Sequence, residues 1–344
     1  GKIYCFGDQQ HHSDRTEVAQ LPESRDVEPF ADDSSGQMYA KAAEEILEST
    51  GIVRGFCLVI GSEEGRLAYE LAKRTKLRIY GVEPDAEKAR RSRELLDRAG
   101  LHGSRVTIFH GDPAKMTLSN YFANLVVSDR HLLTGEFPGT AEHVARRIKP
   151  CGGKLCLVTR GIPDEGQRKQ LQELAQSVRL HIGGDLDFGD SSVCLTRGQL
   201  PGAGDWSHQY GNSANTMTSQ DELVRGDLGV LWYGDPGPAE MINRHDAAAA
   251  PLSTNGRMFV QGHESILAYD AYNGLFLWEY TNPGAIRTGV FNNEDTSNLA
   301  ASDDMLFVVV NGKCTAIDAA TGEVVHEYSL PPSSDDGVER IWGY

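Results

Sequence analysis

Gly61 and Gly65 frame a short turn, Leu58-Val-Ile-Gly-Ser-Glu-Glu-Gly65, that follows one apolar run and precedes an amphipathic one. Glycine at the first position lets the chain turn tightly. Glycine at the second lets backbone approach a ligand while the amides of the next helix point at it. Glu83 closes a second apolar run 22 residues after Gly61, where an acid is placed to accept both hydroxyls of a ribose. Asp112 closes a third run and is able to accept from the exocyclic amine of a base. A fourth run ends in Ser128-Asp-Arg-His131, in which Asp129 and His131 are the side chains able to take a proton from a substrate. Together these are the groups of a nucleotide-type cofactor crevice with candidate bases beside it.

The elements that must position them alternate regularly. Strands are expected at Phe56–Ile60, Arg78–Val82, Val106–His110, Ala123–Val127 and Lys154–Thr159, with a closing pair near Arg179–Ile182 and Ser192–Thr196. Helices are expected at Gln37–Ser49 (capped by Asp33 or Ser35), Gly65–Arg74, Ala86–Ala99, Thr140–Ile148 and Glu165–Val178. Short apolar strands between amphipathic helices predict a parallel sheet covered on both faces, with its ligand at the carboxyl ends of the strands. Residues 9–36 are polar and read as a connector.

The run over about residues 37–198 resembles the class I S-adenosylmethionine-dependent methyltransferases. The likeness lies in the glycine-rich first loop, the acid of Gly81-Val-Glu-Pro-Asp85, the His110-Gly-Asp112 ending, Ile148-Lys-Pro-Cys-Gly-Gly-Lys154 and the closing strand pair. It implies a Rossmann-like domain with a seven-stranded sheet and S-adenosylmethionine as cofactor. Gly61 and Gly65 would then line the methionine part, Glu83 the ribose, and Asp112 and Pro113 the adenine, with Ser62, Glu63, Pro84 and Ser128 completing the lining. It also implies methyl transfer to an acceptor, small molecule or protein, that the sequence does not identify. A dinucleotide oxidoreductase shares the loop geometry, but the Lys-Pro-Cys-Gly-Gly segment and the closing pair favour the methyltransferase. Two positions depart from the family's pattern. Val59 stands where an acid is usual, and Glu63 replaces the middle loop glycine, where it is able to meet the positive amino group of the cofactor. Ser128-Asp-Arg-His131 also replaces the Asn/Asp-Pro-Pro-Tyr box of the amino-methylating members.

From Gly204 the texture changes. Ala268-Tyr-Asp-Ala-Tyr-Asn-Gly-Leu-Phe-Leu-Trp-Glu-Tyr280 returns 48 residues on as Ala316-Ile-Asp-Ala-Ala-Thr-Gly-Glu-Val-Val-His-Glu-Tyr328. A period of that size, built of short strands and an Asp…Gly turn, predicts β-propeller blades. Strands are expected at Gly229–Tyr233, Arg257–Gln261, Ser265–Tyr269, Phe276–Tyr280, Met305–Val310, Cys314–Ile317 and Val324–Tyr328. The unit resembles the pyrroloquinoline-quinone-type, or quinoprotein-like, repeat over residues 204–344. Gly1–Asp8 fits the pattern of one more blade strand, so the α/β domain reads as an insertion between blades. The fold class expected is thus α/β plus all-β: a Rossmann-like methyltransferase domain and an incomplete propeller. A closed propeller needs about four to eight blades and this chain holds about three, so the missing blades are themselves expected partners. Trp232 and Trp278 are expected to pack between blades. Pyrroloquinoline quinone is not expected, because the chain shows no axial contacts for it.

Lys and Arg number 33 against 49 Asp and Glu, a net charge of −16, which excludes a general binder of nucleic acid or of anionic membranes. No run approaches the roughly 20 apolar residues of a membrane span. Cys5, Cys57, Cys151, Cys156, Cys194 and Cys314 show no metal spacing, and Cys57, Cys156 and Cys194, inside apolar strand-like runs, read as buried free thiols. His11-His12, Asn292-Asn-Glu-Asp295 and Asp335-Asp336 read as solvated surface, so no metal site is expected. The chain opens within a strand and stops at Ile341-Trp-Gly-Tyr344, as a piece of a longer protein would. An active methyltransferase would place it in the cytoplasm, and an exported propeller in the periplasm or outside. Two other functions fit the same residues: a non-catalytic scaffold built on a degenerate methyltransferase fold, and a fragment of a quinone-dependent dehydrogenase.

Overall fold

The computed structural model describes residues 28–115, 117–234, 250–262, 264–282, 298–310, 312–331 and 342. Gly1–Asp8, Cys5, His11, His12, most of the connector and the Asx clusters at 292–295 and 335–336 lie outside the described residues.

Seven strands form the first sheet: β1 (Arg54–Ile60), β2 (Lys76–Glu83), β3 (Val106–His110), β4 (Leu125–Ser128), β5 (Lys154–Val158), β6 (Asp185–Phe188) and β7 (Ser192–Thr196). Their order is β3-β2-β1-β4-β5-β7-β6, and β7 runs antiparallel to both its neighbours. This is the expected seven-stranded Rossmann-like sheet with its reversed closing pair. Alternate residues of one strand feed opposite cores. Cys57 and Val59 face α1 (Ser34–Thr50), α2 (Arg66–Arg74) and α3 (Ala86–Arg98), meeting Ile46, Leu67, Leu71 and Leu96. Leu58 and Ile60 face α5 (Ala141–Arg147) and α6 (Glu165–Ile182), meeting Val144, Leu171 and Val178. Each such side chain contributes about 1.5–3 kcal/mol by leaving water. Caps fix the helix starts: Asp33 accepts from the Gly36 amide, and Asp85 from those of Glu87 and Lys88.

One expected strand is corrected. Arg179–Ile182 forms the last turn of α6, and the strand begins at Asp185. The apolar stripe Leu171, Ala175, Val178, Ile182 carries the helical period through that segment, and Gly183, at φ 66°, ends it.

The connection from β3 to β4 holds no helix among its described residues. One face of β1, β2 and β3 is therefore covered by aromatic rings. Tyr80 stacks on Phe109 at 6.3 Å and meets Phe122 edge-on at 5.9 Å. With Val230–Tyr233 these rings bound a cavity of about 490 Å³.

The repeats form two antiparallel sheets. The first joins β8 (Leu252–Thr254), β9 (Arg257–Gly262), β10 (Ser265–Asp270) and β11 (Phe276–Thr281). The second joins β12 (Asn298–Ala301), β13 (Met305–Val310), β14 (Lys313–Asp318) and β15 (Val324–Ser329). They pack face to face through Phe259, Ile266 and Ala268 against Leu306, Val308 and Ile317, as propeller blades do. The indole of Trp278 donates to the Ala319 carbonyl at 3.1 Å. A Cβ on Gly322 would lie 2.7 Å from that ring, and Gly322 sits at φ 78°, so only glycine fits. Trp232 repeats the arrangement one blade earlier, donating to the Ala271 carbonyl at 2.9 Å and covering Gly274. Gly229–Tyr233, expected as a strand, is irregular chain that delivers this one indole. Its β-favouring residues find no described strand to pair with.

The first blade docks on the amino edge of the large sheet. Arg54, at the start of β1, donates to the Phe276 and Leu277 carbonyls, and Asn273 donates to Phe122 O and Asn124 Oδ1. Lys149 meets Asp270 at 2.8 Å, and Tyr121 meets Tyr272 edge-on. The carboxyl edge of the sheet is left to the loops.

Candidate functional site

Strand order reverses between β1 and β4, and a crevice at such a switch point lies over the carboxyl ends of the strands. Gly61 (φ 59°) and Gly65 (φ 80°) both take left-handed backbone, Gly65 capping α2. The Ser62 amide donates to Val82 O, the Gly65 amide to Ser62 O and the Arg130 amide to Gly61 O, so the ends of β1, β2 and β4 are tied by backbone. Ser128 donates from Oγ to Ile60 O at 2.7 Å and accepts from the His131 amide, capping α4 (Asp129–Thr134). A Cβ on Gly65 would strike Ser92 Oγ at 2.3 Å, so the turn rests directly on α3. Ser62 Oγ is buried in the same turn without a partner among the described residues.

Glu83 is fully buried. Its Oε2 accepts the Glu63 amide at 2.7 Å and its Oε1 the Asp85 amide at 3.0 Å. Burial pushes its pKa above the usual carboxylate range against these two amides. Each oxygen keeps a further lone pair. Between Glu83 and solvent lies a latch of charged side chains. Glu63, almost fully buried, binds both Lys88 of α3 and Arg130 of α4, and the Arg130 guanidinium stands 4.0 Å from Glu83. Glu63 adopts φ 49°, a left-handed conformation that costs a non-glycine residue about 1–2 kcal/mol. The hydrogen bond from its amide to Glu83 and the two ion pairs offset that strain. A Cβ on Gly61 would meet Arg130 Cβ and Pro138 Cγ, each at 2.7 Å. The first turn thus packs directly on Arg130 and Pro138, with no room for a side chain at position 61.

Gly61, Ser62, Glu63, Gly65, Glu83 and Ser128 are therefore brought together. Asp112 and Pro113 lie at the next strand end, joined to it by the Gly111 amide on the Glu83 carbonyl. Asp112 is exposed, and hydrogen bonding from the Ala114 amide holds its pKa below the usual range. Pro113 lines a small cleft with Pro138, Gly139 and His143, and Pro84 turns its carbonyl to His110. Val59 is a core residue of β1, fully buried.

The two candidate bases part company. Asp129 is fully buried beneath Tyr39, whose hydroxyl donates to it at 2.8 Å, and burial pushes its pKa up to about 8. His131 lines a cavity of about 640 Å³ between the ends of β4 and β5 and the first turns of α6. Its ring bonds the Val158 backbone, its Nδ1 finds no partner among the described residues, and burial lowers its pKa, which favours the neutral imidazole. Among the described residues no three His, Cys, Asp or Glu side chains gather as a metal site, and no helix is long and apolar enough to cross a membrane.

Sequence reasoning passed over Arg130, Lys88, Tyr39 and Arg160. The only signal for Arg130 was its place between Asp129 and His131. Its target, Glu63, lies 67 residues away in the chain.

The family model of the outer membrane protein assembly factor BamB, a PQQ-type repeat, matches residues 238–342. No curated protein matches the chain. Among solved structures, a Methanococcus maripaludis protein provisionally named an S-adenosyl-L-methionine-dependent methyltransferase is similar at 21% identity, over 48% of this chain and 86% of its own, with a TM-score of 0.39. A SAM-dependent methyltransferase from Aquifex aeolicus is 17% identical over 48% of this chain and 93% of its own, with a TM-score of 0.38. Phosphoethanolamine N-methyltransferase 2 of Haemonchus contortus, solved with S-adenosyl-L-methionine, is 19% identical over 43% of this chain and 37% of its own, with a TM-score of 0.33. The fold of the α/β domain rests on its own strand order.

Proposed function

We propose that the α/β domain binds S-adenosylmethionine in the crevice at the β1–β4 switch and transfers its methyl group to an acceptor held near His131. When bound, the cofactor supplies an electrophilic methyl group. The observation that carries the reading is Glu83: a fully buried acid at the end of β2, oriented by two amides, with lone pairs to spare for a ribose diol. Gly61 and Gly65 bring backbone against the methionine part, while Ser62, Pro84, Asp112, Pro113 and Ser128 border the rest. Glu63, released from Arg130, is the partner for the cofactor's ammonium group. His131 is the candidate proton acceptor, and Asp129 supports the site from beneath. The repeat sheets act as a binding surface on the far edge, where β15 leaves Val324, Val325 and Tyr328 exposed.

The latch also favours a second reading, a non-catalytic scaffold whose crevice is closed by its own side chains. Calorimetric titration of the whole chain with S-adenosylhomocysteine separates the two. Removing the latch by Arg130→Ala should tighten binding, and Glu83→Ala should weaken it by about tenfold or more, the loss of charge-assisted hydrogen bonds. No binding to Arg130→Ala at millimolar ligand would leave the scaffold.

A further inference from the structure

Cys156 and Cys194 stand directly opposite each other on the antiparallel strands β5 and β7. The ladder fixes what kind of pair they are. The Thr159 amide donates to the Ser191 carbonyl and the Arg197 amide to the Gly153 carbonyl, so the pairs 159/191 and 153/197 are hydrogen-bonded. Counted inward from either end, the alternation makes Cys156 and Cys194 a non-hydrogen-bonded pair, whose Cα atoms stand about 4.5 Å apart with the side chains turned together. That spacing lies within the range a disulfide spans. The sulfurs are 2.8 Å apart. Against a bonded length of about 2.05 Å, closure asks for a shift of roughly 0.8 Å. Cys57, Cys151 and Cys314 are free thiols with no sulfur neighbour among the described residues.

The surroundings make the two thiols unequal. Both lie in the core beneath α1. Cys156 is 1% exposed and Cys194 4%, with only β6, an exposed edge strand, beyond β7. Hydrogen bonding to Cys156 and the nearby Lys154 ammonium outweigh burial and the carboxylates of Asp187 and Glu45, and they lower the Cys194 pKa. The same contact, with burial, raises that of Cys156. The thiolate is the form that meets an oxidant, which makes Cys194 the attacking sulfur and Cys156 the resolving one.

We propose that Cys156 and Cys194 are a dithiol that hydrogen peroxide oxidises to a disulfide, stapling β7 to β5. The Cys194 thiolate attacks one peroxide oxygen, the O–O bond breaks, and hydroxide leaves, giving a sulfenic acid. The Cys156 sulfur then attacks the Cys194 sulfur; the S–O bond breaks, and the oxygen leaves as water with the Cys156 proton. Two thiols thus give two electrons to one peroxide, which ends as two waters once the hydroxide takes up the proton first lost by Cys194. The bond joins residues 38 apart in the chain, so it restricts the unfolded state and stabilises the folded one. It acts whether or not the crevice takes S-adenosylmethionine.

The test treats the folded whole chain, reduced and freed of reductant, with hydrogen peroxide, alkylates the remaining thiols in denaturant, and reads unreduced tryptic peptides by mass spectrometry. Peptide 155–160 should appear joined to peptide 180–197, lighter than their sum by two hydrogens and parted by dithiothreitol. The oxidised chain should melt about 4–10 °C above the reduced one. In Cys156→Ala the resolving thiol is gone, so dimedone should trap Cys194 as its sulfenic acid and melting should not rise. Recovery of both cysteines alkylated from the treated parent chain would overturn the proposal, as would a linked pair with no rise in melting temperature. Sulfinic acid at Cys194 beside a free Cys156 would overturn it equally, because the second thiol would then not resolve the first.

Discussion

Asp270 and Asp318 hold the same place in successive repeats, 48 residues apart, and each closes its turn by accepting backbone amides on Oδ1. Their surroundings differ. Asp270 Oδ2 lies 2.8 Å from Lys149 Nζ across the domain boundary, with the two side chains only 5% and 9% exposed, whereas Asp318 is half-buried and among the described residues feels the charge of Arg257 without forming an ion pair. Asparagine keeps an acceptor oxygen for the turn, so Asp→Asn at both positions isolates the buried ion pair. Removing one partner of such a pair costs about 3–5 kcal/mol, because the other charge stays buried. Lys149 also donates to the Pro150 and Cys151 carbonyls, which places Asp270→Asn near the lower end, about 3 kcal/mol. For a domain of this size that is about 6–12 °C in melting temperature. Asp318→Asn should stay within about 0.5 kcal/mol. Scanning calorimetry of both variants measures the contrast, and the double variant Lys149→Met with Asp270→Asn should recover much of the loss, since neither charge remains. Equal shifts for the two single variants, or a cost below about 1 kcal/mol for Asp270→Asn, would refute the claim that this pair holds the blade to the sheet.

Asp129 retains its proton in the folded chain up to about pH 8, whereas the unfolded carboxyl loses it near pH 4. The stability it confers is thus full below about pH 4 and is lost as pH rises to about 8; Asp129→Asn should flatten that part of the profile, read from urea midpoints across the window. An unchanged slope would remove the buried acid from the account. Gly322→Ala adds a Cβ 2.7 Å from the Trp278 ring at φ 78°, which should cost at least about 2 kcal/mol and alter the near-ultraviolet dichroism of tryptophan. A spectrum like that of the parent would mean the ring does not seat there. Asn273→Ala removes the two hydrogen bonds from the blade to Phe122 and Asn124 and should lower stability by about 1–3 kcal/mol. It should leave S-adenosylhomocysteine affinity within about threefold, since the ladders of β2 and β4 hold β1 in place from both sides; a larger change would show that docking reaches the crevice.

What the sequence disclosed was chiefly local. Gly61 and Gly65 were legible because left-handed turns leave few other choices, and Glu83 because an apolar run ends in an acid at a fixed distance from them. The two blades were legible because Asp270 and Asp318 close identical turns. The latch was not, since a long guanidinium chooses its partner in space and Glu63–Arg130 joins the turn after β1 to α4, 67 residues on. The cavity was hidden for the same reason: its wall joins α4 to the loop after β5 and one stripe of α6. Arg179–Ile182 misled because four apolar-rich residues fit a strand as readily as a helix end, until the stripe from Leu171 is followed.

The segment Ile148-Lys-Pro-Cys-Gly-Gly-Lys154 supplied much of the resemblance, yet in this chain it works at the opposite edge from the crevice. Lys149 binds Asp270, and Cys151 packs against Gly256, where a Cβ would lie 2.8 Å from it. Asn124, at the foot of β4, accepts on one oxygen both the Phe56 amide of β1 and the Asn273 side chain of the blade. The amino edge is therefore a surface whose polar groups are already spent on the repeats, and a second macromolecule there would have to displace a buried ion pair. The carboxyl edge carries the opposite arrangement. Its loops are tied by backbone bonds, but its buried charges are closed only by side chains, Arg130 and Lys88, that keep partial exposure. Side chains of that kind can rotate at far lower cost than a sheet can move. The rearrangement that opens this crevice at least cost is therefore a rotation of Arg130 and Lys88 away from Glu63, with the sheet and its docked blade unmoved.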